Sequence, residues 1–243
     1  MKKLFVVADV HSFYNEMIDA LAEKGFDKND PDHVFVSLGD LFDRGPDPFK
    51  CLVFVDSIPA ERKILIRGNH EDLLEECLAR EDFLMHDAHN GTMDTVLKFA
   101  RVRDFEEFEA APKRFFEEVR TDERLVRYLA EVRDYAEIGE YLFVHGWVPA
   151  RKNAPSHDWR LGNWKEARWF NGMEKWRQGA RPRGKTVLCG HYHTSWGHFV
   201  LEKKGSEFGE NADFTPFMQP GIIALDACTA YSGRVNCVLL ETD

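Results

Sequence analysis

Read for its hydrophobic rhythm, the chain opens on an apolar run, Leu4 to Ala8, that ends in Asp9-Val-His11 and gives way to a segment with Met17, Ile18 and Leu21 at helical spacing. The spacing predicts a buried strand, a loop and a helix. The same sequence of events repeats twice. Val34 to Leu38 predicts a strand that ends in Gly39-Asp-Leu-Phe-Asp-Arg-Gly45, followed by a helix over 46–56 whose start is favoured by Asp47-Pro48. Ile64 to Ile66 predicts a third strand, ending in Arg67-Gly-Asn-His-Glu71 and feeding another helical run. Three strand, loop and helix units in succession predict a parallel sheet with helices outside it.

From about 72 to 138 the rhythm changes to long charged runs with apolar residues every three or four positions, among them Phe105, Phe108, Phe115, Phe116, Val119, Leu125, Tyr128 and Leu129. This predicts a helical insertion. Its expected break is Asn90-Gly-Thr92, because Asn and Gly tolerate the left-handed region and Thr caps a following helix. Strands resume at Tyr141 to Val144, ending in His145-Gly146, and at Thr186 to Cys189, ending in Gly190-His-Tyr-His193. The closing runs 221–227 and 234–240 read as two strands joined by Tyr231-Ser-Gly233, and so short a connection predicts an antiparallel pair. No repeat interrupts this order, and one domain over 1–243 is the expected organisation.

Charge narrows the function. With 32 Lys and Arg against 42 Asp and Glu, the net charge of -10 argues against general binding to a nucleic-acid polymer or an anionic membrane. The charge is uneven, however. Residues 71–138 hold 19 acidic and 10 basic side chains, whereas 147–185 hold 3 acidic and 10 basic ones together with five of the six tryptophans. An anionic substrate would prefer the second stretch, and its tryptophans, interleaved with arginines, either stack an aromatic group or pack beneath a solvated basic face. The five cysteines include no Cys-x-x-Cys pair, so neither a disulfide framework nor a zinc-thiolate site is indicated. The apolar start stops at Asp9, too early for a signal peptide, and a reducing cytoplasm is the expected compartment. No obligate protein partner is evident.

The ends of the predicted strands carry the chemistry. Asp9 and His11, Asp40, Asn69, His145, and His191 with His193 are nitrogen and oxygen donors without a thiolate. Such a set suits Mn, Fe, Zn or Ni, and is too rich in imidazole for a site devoted to Mg or Ca. Seven donors exceed one tetrahedral ion. They are enough for two divalent ions about 3.5 to 4 Å apart that share Asp40. His191 and His193 share a face if their segment is extended, and face different ions if the Gly190 turn bends it.

Asp9-Val-His11, Gly39-Asp-Leu-Phe-Asp-Arg-Gly45, Gly68-Asn-His-Glu71, His145-Gly146 and Gly190-His-Tyr-His193 resemble, in order, the five motifs of the calcineurin-like metallophosphoesterases, in the branch of the phosphoprotein phosphatases and symmetrical diadenosine tetraphosphate hydrolases. Three departures stand beside the likeness: Ser12 replaces a usual glycine, Ala227-Cys228 replaces a common Thr-Gly, and the second histidine of the last motif is unusual for the phosphoprotein phosphatases.

The resemblance implies a metallophosphoesterase-type sandwich of sheets flanked by helices, an α/β fold. It implies two metal sites, one of Asp9, His11, Asp40 and His193, the other of Asp40, Asn69, His145 and His191. Manganese is the first expectation. Two cations lower the pKa of water between them, so that hydroxide is available to attack phosphorus near neutral pH. His70 is the expected proton donor to the leaving group, oriented and charged by Asp43. Arg44 offers a planar fork for phosphate oxygens. Asn69 is expected to share in binding substrate, and Arg168, or else Arg160, to supply a second arginine. Three functions compete: hydrolysis of phosphate monoesters of protein or small molecules, hydrolysis of a nucleoside polyphosphate, and a catalytically silent metal-binding module. Intact His70, Asp43 and Arg44 speak against the third.

Overall fold

Every segment that positions chemistry leaves the end of a strand. The computed structural model describes residues 1–149 and 158–242. In chain order β1 (Lys2–Val7) leads to α1 (Tyr14–Glu23), β2 (His33–Ser37) to α2 (Pro48–Asp56), and β3 (Lys63–Leu65) to α3 (Asn69–Arg80). The charged region then forms α4 (Met85–Asn90), α5 (Thr92–Phe99), α6 (Phe105–Ala110), α7 (Pro112–Arg120) and α8 (Glu123–Glu131). It is broken at Gly91, whose φ of 87° is the left-handed geometry that glycine accepts without strain.

A second run of strands follows: β4 (Ala136–Ile138) and β5 (Tyr141–Phe143), then β6 (Thr186–Cys189), β7 (Phe217–Gln219) and β8 (Ile222–Ala224). Short helices α9 (Trp164–Ala167), α10 (Gly172–Arg177), α11 (Thr194–Trp196) and α12 (Thr229–Ser232) lie between them or after them, and β9 (Cys237–Thr242) ends the described chain.

The strands form two sheets, the sandwich that the resemblance implies, and the three opening strands are parallel neighbours in the first. One is ordered β3-β2-β1-β9, the other β4-β5-β6-β8-β7. In the first, β1, β2 and β3 are parallel and β9 runs antiparallel at one edge; in the second, β5, β6 and β8 are parallel and β4 and β7 run antiparallel at the two edges. Alternation explains how they stack. Leu4, Val6, Val34 and Val36 pack with Phe143, Leu188 and Ile223 of the second sheet to make the inner layer. Phe5, Val7 and Phe35, on the opposite face, pack with α1, α2 and the helical region. Leu142, Val144, Val187 and Ile222 pack outward with Trp164, Ala167 and Met173. The result is a helix–sheet–sheet–helix sandwich.

The expected closing hairpin does not form. β8 lies parallel to β6 in the second sheet, while β9 crosses to the first and pairs antiparallel with β1. The segment between them contains α12, so the chain changes sheets there. Both halves of the sandwich are thereby tied by one short connection, and their strand ends open on the same cluster of polar residues.

Candidate active site

The polar cluster is assembled by main-chain bonds between loops. Asp9, His11 and Ser12 donate their N–H groups to the carbonyls of Gly39, Asp40 and Leu41 at 3.2, 2.9 and 2.8 Å, fastening the loop after β1 to the loop after β2. Gly190 donates to the His145 carbonyl at 2.7 Å and joins the loops after β5 and β6. The two pairs of loops meet where His191 N–H donates to the Asp9 carboxylate at 2.9 Å. A side chain on Gly190 would put its Cβ 2.0 Å from Asp9 Oδ2, so only glycine permits this approach.

The backbone here is strained. Asp9, His11, Ser12, Asp40, Asp43, Arg44 and His191 all have φ between 49° and 72°. Each such residue costs about 1–3 kcal/mol, a cost that buried sheet side chains, worth about 1.5–3 kcal/mol apiece, can offset.

Asp40 stands at the centre and is 2% exposed. Its Oδ1 accepts from the N–H of His70 in the first turn of α3, at 2.9 Å, where a helix start favours negative charge. Its Oδ2 lies 3.4 Å from His145 Nε2, 3.9 Å from His11 Nε2 and 4.0 Å from His70 Nε2. Burial alone would raise this carboxyl, yet the imidazoles of His145, His70 and His11 hold it well below the ordinary carboxylate range. Asp9 goes the other way. Burial, and then the neighbouring carboxylates of Asp226 and Asp40, push it well above that range.

The tautomers identify which ring atoms are left for a ligand. His145 Nδ1 donates to the Leu38 carbonyl at 2.8 Å and His11 Nδ1 to that of Phe42 at 2.9 Å. Each Nε2 therefore turns a lone pair inward, the arrangement that orients histidines on metals. For His145 that lone pair faces two oxygens, Asn69 Oδ1 at 2.8 Å and Asp40 Oδ2 at 3.4 Å, and His191 Nδ1 meets the same Asn69 oxygen at 2.8 Å. In a neutral His145 ring that lone pair would meet two acceptor oxygens, a repulsion that a proton on Nε2, or a cation in its place, removes. Against the effect of burial, Asp40 pushes the His145 pKa up to about 10, so a proton fills that role in the bare protein. Burial and the charge of His145 meanwhile push His191 down to about 3, leaving a neutral ring able to donate a lone pair. The donor set fits divalent cations. Two groups of three, Asp40-His145-His191 and His11-Asp40-His70, each offer ligand atoms within 4.8 Å of one another.

His70 and Arg44 complete this side. His70 Nδ1 donates to Asp43 Oδ2 at 2.7 Å, and burial, which lowers its pKa, is outweighed by Asp40 and Asp43, so that the pKa is raised. The Arg44 fork spans His11 Nε2 at 3.0 Å and His70 Nε2 at 3.1 Å. Asp43 also accepts from the Thr92 hydroxyl at 2.7 Å, and its N–H donates to Thr95 Oγ1 at 3.1 Å. Thr92 thus serves Asp43 and not the helix: the cap position of α5 is Gly91, with no side-chain cap bond.

Three expected members lie elsewhere. His193 has its Nε2 2.9 Å from Glu207 Oε1, outside the two groups of ligand atoms above. The Gly190 turn and the positive φ of His191 break the extended geometry that would align the two imidazoles. Arg168 is buried, bonded to Asp72 at 2.6 Å and to Asp134, so both ends of its fork are already engaged. Arg160 is committed to Glu137 and Asp158 and stacks on Trp159. Lys165, Arg177 and Lys185 of the basic stretch are likewise paired, with Glu76, Glu174 and Glu137. Local pairing thus consumes much of the charge expected to attract an anion. Arg151 and Lys152 lie outside the described residues.

Sequence reasoning missed Glu71, Tyr128 and Asp226 as site residues. Glu71 accepts from the N–H groups of Asp40 and Leu41 at 3.0 Å each, from Gly68 N–H at 2.7 Å, and from the Tyr128 hydroxyl at 2.7 Å. It locks the loop after β2 to the start of α3. Tyr128 comes from α8, and no local spacing announces a bond across 57 residues. Asp226 is buried and its pKa is raised, chiefly by burial. Its signal was available, since it ends an apolar run as Asp9 and Asp40 do.

Residues 2–219 match the family model described as calcineurin-like phosphoesterase. Over 72 residues, 30% of this chain and 31% of the relative, the sequence is 35% identical to serine/threonine-protein phosphatase 1 of Salmonella typhimurium. Over 68 residues, 28% of this chain and 23% of the relative, it is 34% identical to the symmetrical bis(5'-nucleosyl)-tetraphosphatase of Colwellia psychrerythraea. These matches span less than a third of either relative's length. Among solved structures, the cold-active protein-tyrosine phosphatase of a psychrophilic Shewanella aligns with a TM-score of 0.62 at 15% identity, covering 100% of this chain and 76% of that one, a likeness of fold.

Proposed function

The chain belongs to the calcineurin-like phosphoesterases, and from that premise we propose that it hydrolyses phosphate monoesters, of phosphoprotein or of small compounds, at the Asp40 cluster with two divalent cations bound. The observation that carries the reading is the meeting of His145 Nε2 and His191 Nδ1 on Asn69 Oδ1 beside Asp40 Oδ2, a cluster of donor atoms in which a divalent cation would take the place of ring protons. Asp40, Asn69, His145 and His191 would hold one ion, and Asp9, His11 and Asp40 the other, with manganese the first candidate. Such ions supply positive charge for phosphoryl oxygens and lower the pKa of water.

The remaining work falls to side chains. Arg44 leaves the two imidazoles to bind phosphate oxygens with its fork, and this frees His70 Nε2 to carry the proton that the leaving alkoxide needs. Asp43 holds His70 Nδ1–H, fixes the tautomer and favours the protonated ring, while Thr92 fixes Asp43. Hydrolysis of a nucleoside polyphosphate is the second reading, supported by the partial likeness to the Colwellia tetraphosphatase. All five cysteines are free, which accords with a reducing compartment such as the cytoplasm. The reading requires no nucleic-acid polymer, membrane or obligate partner.

The test is a hydrolysis panel on manganese-loaded protein, comparing p-nitrophenyl phosphate, phosphopeptides and dinucleoside polyphosphates. Release of phosphate from the monoesters is expected. Cleavage of the dinucleoside polyphosphates alone would move the assignment to the second reading, and inertness toward all three would end both.

A further inference from the structure

Four of the five tryptophans in residues 147–185 are explained by packing. Trp147 is 1% exposed and Trp164 8%. Trp159 packs edge-on to Tyr135 and Trp164, and Trp176 packs on Phe217 while its indole N–H donates to the Pro220 carbonyl at 3.1 Å. Trp169 is different. It is 51% exposed, and its ring meets the ring of His191 at a centroid distance of 5.7 Å and an angle of 82°.

Its backbone, in contrast, is firmly placed. Gly146, next to His145, comes so close to the 167–170 segment that a Cβ there would lie 2.6 Å from the carbonyl oxygens of Ala167 and Arg168 and 2.8 Å from that of Phe170. Trp147 N–H donates to the Ala167 carbonyl at 3.1 Å, and the Arg168 side chain is fastened to Asp72 of α3 and to Asp134. The main chain on both sides of Trp169 is thus anchored to the loop that carries His145, while the indole is left half in solvent beside His191. Packing gains little from such a placement, whereas a ligand ring would gain a preformed aromatic surface.

We infer that Trp169 is a specificity-determining residue, a shelf for a planar aromatic ring borne directly on the ester oxygen, so that the site prefers aryl phosphates. The inference rests on the phosphoesterase reading. Distance selects the substrate class. His191 belongs to the Asp40-His145-His191 group, whose ligand atoms lie within 4.8 Å of one another, so Trp169 stands one ring away from the phosphoryl position. A phenyl group on the ester oxygen reaches that radius. A nucleobase is held off by its sugar and by any further phosphates.

The experiment compares wild type, Trp169→Ala and Trp169→Phe, each loaded with manganese, on phenyl phosphate, glycerol 2-phosphate and diadenosine tetraphosphate, with calorimetric binding of phenylphosphonate and methylphosphonate alongside. Leaving-group chemistry is common to all three proteins and cancels when their selectivities are compared. Trp169→Ala is expected to lower the ratio of kcat/KM for phenyl over glycerol phosphate by about three- to tenfold, mainly through KM, and to weaken phenylphosphonate relative to methylphosphonate by a similar factor. Trp169→Phe should restore most of both. A ratio that does not move, including equal losses on the two esters, overturns the shelf, and so does a loss confined to the dinucleotide. A wild-type protein inert toward both esters would instead overturn the phosphoesterase reading, so the two failures are distinguishable.

Discussion

The helices of Asn69–Glu131 and the tryptophan-rich stretch of 158–180 meet the cluster in different ways. From the first, Glu71, Thr92 and Thr95 are buried and bond to the loop after β2, and Tyr128, also buried, bonds to Glu71. From the second, Arg168 is bonded to Asp72, and Trp169 is exposed at the rim. One region therefore fixes the groups proposed to do the chemistry, and the other supplies the surface proposed to meet the substrate. Net charge does not capture this difference. The acidic region is laced with ion pairs such as Arg80–Asp87 and Arg120–Glu117 within it and Arg127–Asp56 to α2, and most described cations of the basic region have partners too.

The largest effect is expected at the centre that both regions serve: Asp40→Asn should lower kcat by about a thousandfold or more, because one carboxylate is shared by both proposed cations. Steady-state kinetics checks it. Next, His70→Asn should slow an alkyl phosphate by about 10²–10⁴-fold but p-nitrophenyl phosphate far less, since a good leaving group needs little protonation. Equal losses would remove His70 as the acid. Asp43→Asn should then move the alkaline limb of kcat to lower pH. The sign follows from the acid form being the active one: Asp43 helps to raise the His70 pKa above that of a free imidazole, so without it the proton is lost sooner as pH rises. Tyr128→Phe leaves Glu71 one donor short and should cost about 1–3 kcal/mol in denaturant unfolding, with a smaller effect on turnover than any of the preceding changes. Arg160→Ala sits at the end of the scale. Its side chain binds Glu137 and Asp158, so kcat/KM on every substrate should stay at the wild-type value.

Sequence carried the strand ends well because a buried run followed by Asp, Asn or His is a local signal. Asp9, Asp40, Asn69, His145 and His191 come together from five such ends. The segment bends at Gly190 and His191, the case in which His191 and His193 were expected to face different ions, and His193 Nε2 meets Glu207, a partner that sequence did not indicate. The closing strands were read as a hairpin because their separation in sequence is short. Which sheet a strand joins is decided by register and by which face is apolar, and β9 finds its partner in β1, at the far end of the chain. The Glu71–Tyr128 bond and the exposure of Trp169 are likewise settled only once helices have packed. Arg168 looked like a free fork because its partners, Asp72 and Asp134, are distant in sequence.

The central claim is that the donors around Asp40 hold two divalent cations for phosphoester hydrolysis. Elemental analysis of the manganese-loaded protein, read beside its rate on p-nitrophenyl phosphate as metal is withdrawn, tests it most directly. Two ions per chain are predicted, with the rate falling as they are removed and with Asp40→Asn weakening both sites together. One ion per chain at full activity, or a rate that survives complete removal of metal, would contradict the account.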